Sequence, residues 1–112
     1  MFANNDKAIE ISGKDFEETI NNKEKNAVVV DFYAEWCMPC LMMAPIIEDL
    51  ADKFENISFA KLNVDENQDI ANKMGISSIP CLIVFKEGKE IDRIVGALSQ
   101  EVLEEKISKY EK

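Results

Sequence analysis

Cys37 and Cys40 lie in the run Trp36-Cys37-Met38-Pro39-Cys40, and the third cysteine of the chain, Cys81, follows Pro80 far downstream. Two thiols at the C-x-x-C spacing can exchange with a disulfide, contribute to a metal site or simply pack. The chain has no histidine, which removes every imidazole ligand, every Cys–His nucleophile and every histidine general base. A structural zinc site takes four ligands, more than three thiols supply within one chain. Inert packing suits a pair flanked by Trp36 and Pro39 poorly. A redox dithiol is the reading that fits the residues best, because the segment before Cys37 has strand character and the segment after it helix character.

The helix matters to the chemistry. At its start the unpaired backbone N–H groups and the dipole favour a thiolate over a thiol, and the thiolate is the nucleophile of disulfide exchange. Cys37 occupies that start, so it is expected to attack. Cys40 lies one turn deeper on the same face, within reach of a disulfide to Cys37, so it is expected to resolve.

The surrounding pattern alternates strands with helices. Ala8 to Ile11 predicts a short strand, and Lys14 to Asn21 a helix with Phe16 and Ile20 on one face. Ala27 to Tyr33 is β-branched and aromatic on both faces, as in a strand covered from two sides. Cys37 to about Phe54 predicts a helix whose Ile47, Leu50, Ala51 and Phe54 form a buried stripe, with a kink expected at Pro45. Ile57 to Val64 reads as a strand, followed by a turn and a short helix bearing Ile70, Ala71 and Met74 and ended by Gly75. Cys81 to Lys86 and Lys89 to Val95 predict a hairpin turning at Glu87-Gly88. Ser99 can cap a last helix with Leu103, Ile107 and Tyr110 inward. This is an α/β chain with a mixed sheet.

Length and composition agree with a single domain over residues 1–112, with 46% hydrophobic and 31% charged residues. The net charge of −9 argues against nucleic-acid binding, which rests on Lys and Arg neutralising phosphates. Apolar runs such as Ala27 to Val30 and Leu82 to Phe85 are too short to span a bilayer. Met1 to Asp6 carries neither a basic nor an apolar leader segment, so a cytoplasmic protein without membrane partners is expected.

Four ordered blocks carry a family resemblance. Asp31 through Cys40 is similar to the active-site segment of thioredoxins, and Lys61-Leu62-Asn63-Val64-Asp65, Gly75-Ile76 through Ile79-Pro80, and Val95-Gly96-Ala97-Leu98 match in the same order. The resemblance spans about residues 7 to 110. It implies a thioredoxin fold, with a central mixed five-stranded sheet flanked by four helices. It implies a cis-proline at Pro80 facing Cys37, and an apolar substrate groove of Trp36, Met38, Pro39, Ile79, Pro80, Gly96 and Ala97. It also implies disulfide-containing client proteins, a thioredoxin reductase as electron donor, a monomeric state, and neither a resident cofactor nor a metal.

Asp31 lies in the apolar run Val28-Val29-Val30-Asp31-Phe32, where loss of water raises a carboxyl's pKa. Such a base near the resolving thiol can take the Cys40 proton. The resemblance implies that role for Asp31, with Lys61 as its neighbouring partner; a purely structural Asp31–Lys61 pair is the alternative. Two positions depart from the family pattern: Met38 stands where glycine is usual, and Cys81 where threonine usually follows the cis-proline. Cys81 is expected to pack as a small hydrophobe rather than react. The neutral Met38-Pro39 pair lends the thiolate little stabilisation, so a comparatively reducing, general disulfide reductase is expected. A reductase dedicated to one client, and a metal- or cluster-binding domain, are the competing readings.

Overall fold

A computed structural model describes residues 7–112; the Met1–Asp6 segment, read above for a leader, lies outside the described residues. Nine elements follow in chain order: β1 (Ile9–Glu10), α1 (Gly13–Ile20), β2 (Ala27–Tyr33), α2 (Met38–Lys53), β3 (Ile57–Asn63), α3 (Gln68–Lys73), β4 (Cys81–Lys86), β5 (Lys89–Val95) and α4 (Gln100–Ser108). The strands form one sheet in the order β1-β3-β2-β4-β5. β1 and β2 run parallel to β3, while β4 is antiparallel to both β2 and β5.

β2 is central, and its sequence shows why. Val28, Val30 and Phe32 pack on one face with Phe16 and Ile20 of α1, while Ala27 and Val29 pack on the other with Met43, Ile47 and Leu50 of α2. A strand apolar on both faces needs covering on both, and helices joining parallel strands supply the cover. Burying each large side chain of this kind contributes about 1.5–3 kcal/mol. The two cores therefore anchor β2, and with it the loop that leads into α2.

The elements end where local chemistry ends them. Glu87 and Gly88 both have positive φ, at 52° and 82°, the backbone of a tight hairpin turn between β4 and β5. Ser99 Oγ accepts from the Val102 amide at 3.3 Å and caps α4. α2 runs uninterrupted through Pro45, where proline's missing N–H leaves the Leu41 carbonyl without its intrahelical donor. Phe54 is buried just past the end of α2. Tyr110 lies beyond α4 rather than on it, held because its hydroxyl donates to Asp92 at 2.7 Å.

Candidate functional site

The carboxyl end of β2 delivers the chain to the dithiol. Ala34, Cys37 and Cys40 form a small buried cluster against which Ile79 packs. Cys37 is the N-cap of α2, and its Sγ accepts from the Cys40 amide at 3.2 Å. Pro39, in the first turn, has no N–H to leave unpaired, which makes it well suited to a helix start. Cys37 and Cys40 are joined as a disulfide with their Cα atoms 5.2 Å apart, a separation ordinary for such a bond. Burial does not separate the two cysteines, at 4% and 3% exposure. The cap does: only Cys37 Sγ receives a helix-terminal N–H, and a negative sulfur gains most from it.

Around the pair, Trp36 and Met38 are 72% and 64% exposed. The Trp36 indole is not loose, because its Nε1 donates to Asp65 Oδ2 at 2.7 Å. Asp65 is held in turn by its own amide donating to the buried Asn63 side chain at 2.9 Å. The Ile79–Pro80 peptide bond is cis, as the resemblance implies. The Gly96 amide donates to the Pro80 carbonyl at 2.8 Å, which ties the loop after β5 to the proline. Gly96 has φ +97°, a conformation open mainly to glycine. Ala97 follows on the surface. An open cavity beside Trp36 is lined by Val64, Ala71, Ile76 and Ile79 among others.

Asp31 is 3% exposed, and its Oδ1 has no hydrogen-bond partner. It pairs across the sheet with Lys61 on one side and Leu82 on the other. Strand alternation puts it on the face of Ala27 and Val29, beneath α2. Burial pushes its carboxyl from 3.8 up to about 7; the Lys61 ammonium pulls it down and Glu10 pushes it up, both less strongly. The expected Asp31–Lys61 partnership takes an unforeseen form. Lys61 is the sheet neighbour, but the residue its Nζ pairs with is Glu48 of α2, at 3.6 Å. Sequence periodicity had no means of finding Glu48, because it reports on one helix face and not on what lies across from it. Glu10, held by the Tyr33 hydroxyl at 2.7 Å, was likewise not foreseen.

Cys81 is 1% exposed at the start of β4, between Phe32 and Val95 in the sheet. Burial pushes its thiol above the ordinary range, with the Arg93 guanidinium acting in the opposite direction. This is the environment of an unreactive, packed cysteine. Among the described residues no cluster of three or more Cys, Asp or Glu is arranged to hold a metal ion, and no helix is long and apolar enough to cross a membrane.

Comparison with known proteins agrees with this geometry. The family model described as Thioredoxin matches residues 7–109. A thioredoxin of Chlorobaculum thiosulfatiphilum is 47% identical over 105 residues, covering 93% of this chain and 96% of that one. Thioredoxin-2 of Saccharomyces cerevisiae is 46% identical over 86 residues, covering 77% and 82% of the two chains. Among solved structures, the N21Q mutant thioredoxin from Halobacterium salinarum superposes with a TM-score of 0.87 at 31% identity, covering 100% of this chain and 97% of that one. The chain belongs to the thioredoxin family.

Proposed function

We propose that this protein-disulfide oxidoreductase works as a general reductase of client disulfides, with Cys37 as nucleophile, Cys40 as resolving thiol and Asp31 as the base that serves Cys40. In the first step the Cys37 thiolate attacks one sulfur of a client disulfide. A mixed disulfide forms, and the other client sulfur leaves as a thiolate and takes a proton from water. In the second step Cys40 gives its proton to the Asp31 carboxylate and attacks Cys37 Sγ. The second client thiolate departs, and the Cys37–Cys40 disulfide carries the two electrons' worth of oxidation. A thioredoxin reductase returns the pair to the dithiol.

The observation that carries this reading is the cap of α2, a sulfur that accepts the Cys40 amide at the helix end where negative charge is favoured. Supporting the role of Asp31 is a carboxyl titrating at about 7, close to the working range for general base catalysis. Trp36, Met38, Pro39, Ile79, Pro80, Gly96 and Ala97 form the client groove in this reading. The exposed apolar side chains and the backbone tie from Gly96 to Pro80 support it. A monomer acting in the cytoplasm, where thiols are kept reduced, completes the proposal. Reduction of insulin by dithiothreitol, with and without the protein, tests it. Wild type is expected to accelerate the reaction and Cys37→Ser to lose the acceleration; equal rates for the two would remove the proposal.

A further inference from the structure

We propose that Glu48 is a positioning residue: it holds the Lys61 ammonium toward the chain that leads into β1, off the Asp31 carboxyl. The inference rests on the reading of Asp31 as the base for Cys40, and adds the residue that sets how much cation that base receives.

The geometry is a row and a clamp. Sheet register aligns Glu10 of β1, Lys61 of β3 and Asp31 of β2 side by side. Lys61 is the cation of that row, and it has carboxylates on both flanks. Glu48 reaches this row from α2 with its two oxygens divided. Oε1 accepts the backbone amides of Lys7 and Ala8, at 2.7 and 3.2 Å. Oε2 pairs with Lys61 Nζ at 3.6 Å. The amides pin the carboxylate, so the lysine follows it. Asp31 Oδ1 is left buried without a partner, although a cation sits on the adjacent strand.

A buried carboxylate with an ammonium moved against it would ionise readily, because an opposite charge at contact favours the charged form. Glu48 prevents that collapse. It draws Lys61 toward the β1 side of the row, where the lysine and Glu48 side chains keep partial contact with water, 23% and 26% exposed. The other titratable groups that act on Asp31 are Glu10 across β3 and, from the opposite face of the sheet, Cys81 on β4. Neither of these competes for Lys61 from α2 as Glu48 does.

The test is a titration of the Asp31 carboxyl by carbon-detected NMR on the oxidised protein, which reads Asp31 without any turnover. In Glu48→Gln the amide oxygen still accepts the two backbone N–H groups, but the charge is gone and Lys61 is free to turn inward. The Asp31 midpoint is expected to fall by about one pH unit. In a Lys61→Gln background the same Glu48→Gln change is expected to move it little, since the cation being positioned is absent. Glu48→Asp, which restores the charge, is expected to recover much of the wild-type midpoint. An unmoved or raised midpoint in Glu48→Gln would overturn the proposal, even with reduced stability, which would indicate only a clamp on the chain before β1. A fall that persists undiminished without Lys61 would overturn it too, because Glu48 would then act by its own charge. The pH profile of mixed-disulfide resolution, measured separately, reports on Asp31 as base. If the NMR midpoint falls while that profile stays fixed, the positioning of Lys61 stands and the base assignment fails.

Discussion

Replacing Asp31 with asparagine exchanges a desolvated carboxyl for a neutral amide of nearly the same shape, and its effect on stability has a pH signature. The carboxyl titrates at about 7 in the folded protein against 3.8 ordinarily. That difference of about three units corresponds to a ceiling of about 4 kcal/mol, at about 1.4 kcal/mol per unit. The asparagine brings a cost of its own. Asp31 Oδ1 has no partner, so an amide N–H placed there is also unsatisfied, at about 1–3 kcal/mol. The net gain expected at about pH 8 is therefore about 1–3 kcal/mol.

Below about pH 3.8 the carboxyl is neutral in both folded and unfolded chains, and the variant shows only the amide's cost. Between about 3.8 and 7 the unfolded chain releases this proton while the folded chain keeps it. Wild type thus loses stability as pH rises through that window, and the variant does not; above about 7 the gap is constant. Urea denaturation of both oxidised proteins at several pH values from about 4 to 8 measures it, and the variant should move from equal or less stable to more stable. A gap of the same size at about pH 5 and about pH 8 would refute the desolvation argument.

Cys40→Ser should capture client proteins as mixed disulfides through Cys37, visible as adducts on non-reducing gels that dithiothreitol releases; capture through Cys40 in Cys37→Ser instead would exchange the two roles. Cys81→Thr should reduce insulin at close to the wild-type rate while losing about 1–3 kcal/mol of stability, because a hydroxyl replaces a buried thiol between Phe32 and Val95. Alkylation of the oxidised protein should label Cys81 slowly; rapid labelling together with loss of activity in Cys81→Thr would make it part of the site.

The dithiol and the elements that present it were legible in the residues. The nearly continuous apolar run Ala27–Tyr33 reports a strand buried on both faces and the 3.6-residue stripe of Ile47 and Leu50 a buried helix face, and a C-x-x-C between such segments has one natural place, the helix start. Glu87-Gly88 announced its turn for an equally local reason, the backbone both residues adopt. Boundaries were less legible. Phe54 and Tyr110 fit the helical spacing, yet both lie beyond their helices, because spacing marks which side chains turn inward and not whether the backbone between them is still coiled.

What surrounds the dithiol depends on residues far apart in the chain, and no periodicity encodes it. The strand order β1-β3-β2-β4-β5 makes Glu10, Lys61 and Asp31 neighbours, although about 20 and 30 positions separate them. The same closure sets Asp65 under the Trp36 indole and the Gly96 amide on the Pro80 carbonyl. Sequence pattern alone already required Asp31 to be desolvated, since an acid inside an apolar strand loses its water wherever that strand packs. Whether the nearest cation would neutralise it was a matter of distance. That distance was decided in three dimensions, by a helix that lays Glu48 over the edge of the sheet and pairs it with Lys61.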